Sequence, residues 1–214
     1  PGETCLQVGL RTDLALTEGG RTQLCALGEK LKQDGVRPKT IFAGSLKRQK
    51  ESASILMQLL APAEPVVLED ALNEIDYGLW EGLSAEEIKS RWPKEYELWS
   101  TSAVWPDGVF AGSEEAHLST VWNFARRLQE DFEAGDDVLV VSSGGTIRYF
   151  YSLLTNKWEE LAREARMKEL KVATGSCSLL HLKPNLRSAS NEPTGEVEVV
   201  FWNKKPSPGR ANPL

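Results

Sequence analysis

The chain has 214 residues, of which 41% are hydrophobic and 26% charged, and these proportions fit one compact domain with a sizeable core. Its formal net charge of −6 argues against general binding to nucleic acid or to a membrane surface, and we expect neither as a partner. The three cysteines lack metal-ligand spacing, and we see no apolar run long enough to span a bilayer and no secretory leader. We therefore expect a cytoplasmic protein with reduced thiols and with no metal or cofactor.

The first helix is predicted after a polar segment. The chain opens with Pro1-Gly2-Glu3-Thr4, and Gln7 is a polar residue in the connection that follows. Thr17 is a good N-cap, and a leucine stripe at helical spacing comes after it. We interpret this helix as scaffold.

The next pattern is a strand followed by a helix. Residues 39–45 predict a short strand, residues 49–60 predict a helix with one apolar side, and residues 66–68 predict another strand. Arg48 lies at the strand-to-helix junction. A guanidinium there stays charged and offers a planar fork of donors suited to a phosphate.

Residues 72–83 carry two glutamates, Glu74 and Glu81. A carboxyl group can act as an acid near neutral pH only if burial or a nearby anion raises its pKa. The alternative is that each carboxylate holds loop backbone. We favour that role for Glu81, and both roles stay open for Glu74.

The middle of the chain predicts helices on either side of an insertion. Residues 84–99 predict one helix, and residues 100–112 form an insertion rich in Trp, Pro and Gly. A further helix is expected through about residue 132, with His117 exposed near its start.

Residues 138–141 read as a strand buried on both faces, and residues 142–145 turn into a helix. Such a turn exposes backbone N–H groups, here those of Gly144 and Gly145, that can bind an anion. Because an apolar strand at a sheet edge invites aggregation, we expect a neighbouring strand beside residues 138–141. Residues before Pro1 or another chain would supply it.

The end of the chain predicts a closing strand pair. Residues 176–182 and 196–202 suit antiparallel strands, so we expect a single domain over residues 1–202. Residues 203–214 contain three prolines and are expected to form a tail.

Five of these stretches, in the same order along the chain, resemble motifs of the histidine phosphatase superfamily, also described as the phosphoglycerate mutase-like proteins. They are residues 1–4, 13–23, 45–48, 72–83 and 142–148. The second and fourth resemble Asp-x-Pro-Leu-Thr-x-x-Gly-x-x-Gln and Leu-x-Glu-x-x-x-Gly-x-Trp-Glu-Gly. The last resembles Ser-His-Gly-Gly-x-Ile-Arg. The resemblance implies an α/β fold, a three-layer α/β/α sandwich with a mainly parallel central sheet and a site at the strands' carboxyl ends.

The resemblance also implies roles for single residues. Arg48 would grip a phosphate, Glu74 would be the proton donor, and the two catalytic histidines would fall at Pro1 and Ser143. Proline has no nucleophilic side chain, and serine carries no positive charge. The sequence therefore predicts a degenerate member of the family, with Arg48, Ser143, Gly144, Gly145 and Gln7 as ligand-binding residues.

Three functions stay open. The first is a catalytically degenerate module that binds an anionic or phosphorylated small ligand, or a protein partner, through the remaining pocket. The second is a repurposed enzyme in which Glu74 does acid–base chemistry without a phosphohistidine. The third is residual phosphatase or mutase activity with Ser143 or Cys5 as nucleophile, which we rank last because neither has an identifiable base beside it in sequence.

Overall fold

The computed structural model describes residues 6–133, 135–155, 163–182 and 197–205. The helices in these ranges are α1 (Glu18–Gln33), α2 (Lys47–Leu60), α3 (Ala85–Arg91), α4 (Pro93–Ser102), α5 (Glu114–Asp131), α6 (Gly144–Leu154) and α7 (Arg163–Glu169). The strands are β1 (Thr40–Ala43), β2 (Val67–Leu68), β3 (Val138–Val141), β4 (Cys177–Leu182) and β5 (Val197–Lys204).

The central sheet is parallel, with the order β2-β1-β3. Ala43 at the end of β1 pairs with Val141 at the end of β3, so the two strands finish side by side. The helices that follow them, α2 and α6, therefore begin at the same edge of the sheet. The predicted α/β architecture is confirmed, and this edge is where ligands bind in open parallel sheets.

Helices cover both faces of the sheet because its side chains alternate between them. On one face, Ile41 and Ala43 pack with apolar residues of α1 and α2. On the other face, Phe42 packs in a cluster with Phe124 of α5 and Phe150 of α6. The layers are thus α1 and α2, the sheet, and α5 with α6.

β3 is less enclosed than its sequence predicts. All four of its residues are half-buried, and within the described ranges it pairs only with β1. It therefore lies at the edge of the described sheet, where we expected an inner strand. Its alternate residues pack against the helical layers, with Leu139 and Val141 on one face and Val138 and Val140 on the other. β4 and β5 form the predicted antiparallel pair as a separate sheet, and β5 runs through Lys204 into the segment expected to be tail.

The helix predicted over residues 84–99 is two helices. α3 starts at a capping box made by Ser84 and Glu87, and α4 starts at Pro93. Proline lacks a backbone N–H and pushes the preceding residue out of helical geometry. Trp92 accordingly has φ −133° and ψ 62°, and the chain turns there.

The Trp-rich segment packs mainly into a third cluster beside the sheet. Trp99 and Trp105 are both buried, and each makes an edge-to-face contact with Phe110. Tyr77 and Trp80 contact the same phenylalanine ring from the 72–83 stretch. This aromatic cluster joins the α3–α4 region to the residues around Glu74. No helix in the described part of the chain has the length and apolar character needed to cross a membrane.

Candidate functional site

A strap of residues 72–75 crosses the edge where β1 and β3 end. The Leu72 carbonyl oxygen accepts hydrogen bonds from Gln49 Nε2 and Ser142 Oγ, both at 2.7 Å. The Asn73 carbonyl oxygen accepts one from Thr146 Oγ1 at 2.5 Å. Side chains from the starts of α2 and α6 therefore fix the strap, which carries Glu74, from both sides.

Glu74 is buried, with 8% of its surface exposed. Its Oε1 accepts the backbone N–H of Ile75 at 2.9 Å, and its Oε2 accepts that of Gly145 at 3.2 Å. Burial raises the pKa of Glu74, while the two amides and the charges of Arg48 and Arg148 oppose that rise. The pKa of Glu74 is therefore set by a balance between desolvation, which raises it, and these amides and charges, which lower it.

Gly145 allows this contact because it has no side chain. A Cβ there would overlap Glu74 Oε1 and would lie 2.8 Å from Ile75 Cδ1 and 3.0 Å from the Tyr77 hydroxyl oxygen. Tyr77 is also buried, and desolvation, followed by the charge of Glu74, raises its pKa well above the usual value. The phenol is therefore neutral and closes one side of the carboxyl group.

Arg48 lies in the first turn of α2 and is half-buried. Its Nη1 and Nη2 donate to the carbonyl oxygens of Thr12 at 3.3 Å and of Gly9 at 3.2 Å. Its charge also acts on Glu74. Arg48 is therefore close to the predicted acid, as expected, but it also holds the 9–12 loop, which sequence reasoning missed.

Ser143 is the N-cap residue of α6, and its side chain makes no capping hydrogen bond. Its Oγ accepts a hydrogen bond from Gln49 Nε2 at 3.0 Å. Gly144 is half-buried beside it, and a Cβ added at Gly144 would lie 3.9 Å from Val172 Cβ. Ser143 and Gly144 thus start the same helix whose Gly145 amide binds Glu74. Gln49, one position after the predicted Arg48, is a site residue that the sequence did not single out.

Arg148, in the 142–148 motif, is another site residue that the sequence did not single out. Its Nε donates to the Leu170 carbonyl oxygen at 3.4 Å, and its Cζ lies 5.7 Å from the Trp99 ring centroid. Its Nη1 is buried and has no hydrogen-bond partner in the described part of the chain. Because its charge acts on both Glu74 and Tyr77, Arg148 is a second cation beside the carboxyl group.

Glu81 anchors the loop that Arg48 also holds. Its carboxylate accepts hydrogen bonds from the Gly9 N–H at 3.0 Å, the Arg11 N–H at 3.3 Å and Thr12 Oγ1 at 2.6 Å. The predicted backbone-anchoring role of Glu81 is confirmed. Gln7 pairs its backbone with Gly82 and Leu83. No described side-chain contact brings Gln7 to Glu74 or Ser143.

Two predicted positions lie outside the described residues, namely Pro1 and Cys5. His117, expected to be exposed, is instead largely enclosed. Its ring centroid lies 5.1 Å from that of Tyr149 and 6.0 Å from that of Trp105. Burial lowers the pKa of His117 to about 4, so its ring is neutral at pH 7. The helical spacing did not reveal that residues 100–112 fold over this turn of α5.

Comparisons with known proteins agree with the fold and the motifs. The profile of the histidine phosphatase superfamily (branch 1) matches residues 2–189. A 2,3-bisphosphoglycerate-dependent phosphoglycerate mutase of Chelativorans sp. (strain BNC1) is 29% identical over 185 residues, covering 84% of this chain and 86% of that protein. The enzyme of the same name from Methylobacterium sp. (strain 4-46) is 31% identical over 144 residues, or 66% and 69% of the two chains.

Solved structures show the same architecture. A mycobacterial glucosyl-3-phosphoglycerate phosphatase in complex with inorganic phosphate superposes with a TM-score of 0.75 at 21% identity, over 96% of this chain and 94% of that one. A protein named mycobacterial hydrolase 2 gives 0.76 at 22% identity, over 95% and 88%. With the profile match spanning most of the sequence, the chain belongs to the histidine phosphatase superfamily.

Proposed function

We propose that this protein binds a phosphorylated or otherwise anionic small molecule at the cluster around Glu74 and does not transfer phosphate through a phosphohistidine. The observation that carries the proposal is the hydrogen bond between Ser143 and Gln49. At the position where the motif resemblance places a family histidine, Ser143 presents a neutral hydroxyl that accepts a hydrogen bond from the Gln49 amide. An amide cannot serve as the general base that a serine nucleophile needs.

The remaining groups favour binding over chemistry. Arg48 and Arg148 place two positive charges beside one carboxyl group. Such groups attract an oxyanion, but attraction that is equal in the ground and transition states does not speed a chemical step. Phosphoryl transfer through histidine also needs an imidazole in line with the leaving oxygen.

This sequence contains two histidines, His117 and His181. His117 is enclosed by Trp105 and Tyr149, and the side chain of His181, in strand β4, is 60% exposed. Neither has a described contact with Glu74, Arg48 or Ser143. This placement supports a site without a phosphohistidine.

The relatives support phosphate as the ligand chemistry. The matched curated proteins are named phosphoglycerate mutases, and one structural neighbour was solved with inorganic phosphate. Inorganic phosphate is therefore the first probe for this chain.

The test combines binding with turnover on the same preparation. Phosphate at about 100 times its Kd should stabilise the fold by about 2.7 kcal/mol, seen as a higher melting temperature. Hydrolysis of p-nitrophenyl phosphate should stay at the buffer rate, with no phosphohistidine trapped. Absence of any phosphate binding would contradict the proposal. Hydrolysis that disappears in Ser143→Ala would instead establish a phosphatase with a substitute nucleophile.

A second candidate function rests on the burial of Glu74. Because burial raises the pKa of that carboxyl group, Glu74 is suited to acid–base chemistry on a bound carboxylate, phosphate ester or carbonyl compound. A melting-temperature screen of sugar phosphates and small organic acids would find ligands, and NMR would follow each one over hours. An unchanged ligand favours the binding function. Conversion that is lost in Glu74→Gln favours the enzyme.

A further inference from the structure

The amide predicted to bind a ligand already has an acceptor. Gly145, in the first turn of α6, donates its backbone N–H to Glu74 Oε2 at 3.2 Å. The other carboxyl oxygen accepts the Ile75 N–H at 2.9 Å. Glu74 therefore sits as an internal anion at the start of the helix, where the helix dipole favours negative charge.

The protein around this contact is tightly fixed. The strap of residues 72–75 is held by Gln49, Ser142 and Thr146, and Gly145 has no room even for a methyl group beside the carboxyl. An incoming oxyanion can reach the Gly145 amide only if the Glu74 side chain withdraws. The backbone of the strap cannot move away in the same manner, because three hydrogen bonds hold it.

The charges around Glu74 decide what withdrawal requires. Arg48 faces it from α2, Arg148 faces it from α6, and the neutral Tyr77 follows it in the chain, with Glu81 acting on Tyr77 from farther away. An ionised Glu74 already neutralises one of the two guanidinium charges, so a doubly charged oxyanion such as sulfate would give the site a net negative charge. A second anion beside an ionised, buried Glu74 would be repelled, because like charges sharing a desolvated site cannot both stay ionised easily.

We propose that Glu74 and an external oxyanion compete for the Gly145 amide, and that the oxyanion binds together with one proton, taken from solvent by Glu74. This inference rests on the proposed binding function and names how the site is regulated. The burial that raises the pKa of Glu74 makes this protonation easier than for an exposed glutamate. Anion binding should therefore strengthen as the pH falls.

Sulfate is the right probe because, unlike phosphate, it does not change its own protonation near neutral pH. Calorimetric titration in two buffers of different ionisation enthalpy counts the protons taken up per sulfate bound. We expect about one proton for the wild type. Its sulfate affinity should weaken about tenfold for each pH unit above the range where free Glu74 titrates.

Glu74→Gln should bind sulfate without that proton and with little dependence on pH. The matched control is Glu86→Gln, which removes an exposed glutamate of α3 and should keep the wild-type proton uptake. Taking the difference between wild type and Glu74→Gln cancels protons taken up elsewhere in the protein. If Glu74→Gln fails to fold, the pH dependence of the wild type alone decides the question.

Wild-type protein that binds sulfate with no proton uptake and no pH dependence would overturn the competition while leaving the binding function intact. If neither sulfate nor phosphate binds at any pH, the binding function itself fails and the competition fails with it. Loss of all sulfate binding in a folded Glu74→Gln variant would also overturn the inference, because it would make Glu74 a partner of the anion.

Discussion

Arg48 donates from Nη2 to the carbonyl oxygen of Gly9 at 3.2 Å, across 39 positions of sequence. The same guanidinium donates to the Thr12 carbonyl oxygen. A residue suited by type to grip a phosphate is thus also a brace between α2 and the loop ahead of α1. Replacement of Arg48 therefore tests its bracing contacts as well as its proposed role in anion binding.

Replacing Arg48 by Gln should therefore loosen the loop as well as weaken anion binding. Losing two hydrogen bonds from a charged, half-buried donor should lower the free energy of unfolding by about 1–3 kcal/mol. Urea denaturation measures that loss, and limited proteolysis or hydrogen exchange reports on residues 6–17. Lys47→Gln removes the neighbouring exposed charge and should change neither. An Arg48→Gln protein with wild-type stability and loop protection would rule out the bracing role.

Gly145 and Gly144 differ sharply in the room they have for a side chain. Gly145→Ala should lower the free energy of unfolding by about 1–3 kcal/mol, because the new methyl group overlaps the Glu74 carboxyl group. Gly144→Ala meets nothing closer than Val172 at 3.9 Å, so its change should stay within about 1 kcal/mol. Equal effects in urea denaturation would mean that the close approach of α6 to Glu74 is absent in solution.

His117 should destabilise the protein in acid. Its pKa is about 4 in the folded state against an ordinary value of 6.5, so the unfolded chain binds the extra proton in that window. Stability therefore falls as the pH drops from 6.5 toward 4, by about 2 kcal/mol at pH 5 from this residue. His117→Phe keeps an aromatic ring beside Trp105 and Tyr149 and should remove that part of the loss.

The control for His117 is His181→Gln, since the side chain of His181 is 60% exposed. Thermal unfolding at pH 5 and pH 7 gives the acid loss for each protein. If His117→Phe and wild type lose the same stability between these pH values, His117 is not enclosed in solution as the contacts with Trp105 and Tyr149 indicate.

Imidazoles placed at Pro1 and Ser143, where the resemblance puts the family's catalytic histidines, should give the protein some phosphatase chemistry. We expect Pro1→His combined with Ser143→His to hydrolyse p-nitrophenyl phosphate about tenfold or more faster than either single variant, because nucleophile and charge partner act as a unit. Trapping of a phosphohistidine in the double variant would accompany the gain. Substantial activity in Ser143→His alone would show that the position of Pro1 does not limit turnover.

The sequence predicted the scaffold of the site better than its contacts. Apolar runs at residues 39–45 and 138–141, each ending in a polar turn, were enough to place Arg48 and Ser143 at one edge of a parallel sheet. Local patterns carry that information because strands and helices have characteristic periods. The break at Pro93 follows from proline's missing N–H, although helical periodicity alone predicts one helix over residues 84–99.

Other features could not be read from local patterns. The contact of Gly145 with Glu74 joins residues 71 positions apart, and the bonds of Arg48 to the 9–12 loop span more than 30. The enclosure of His117 depends on how residues 100–112 fold over α5. Each of these arises from tertiary packing, which overrides expectations based on exposure or motif role.

The most direct test of the binding account is a crystal structure of the wild-type protein soaked with tungstate at mildly acidic pH, where Glu74 is more easily protonated. Tungstate is a tetrahedral oxyanion whose metal can be located by anomalous scattering. The account predicts a tungsten peak within about 5 Å of the Gly145 nitrogen, which is one W–O bond plus a hydrogen bond of about 2.9 Å. It also predicts that the Glu74 carboxyl group has left that amide. An empty site with Glu74 still bound to Gly145, at tungstate concentrations that label other surfaces, would contradict it.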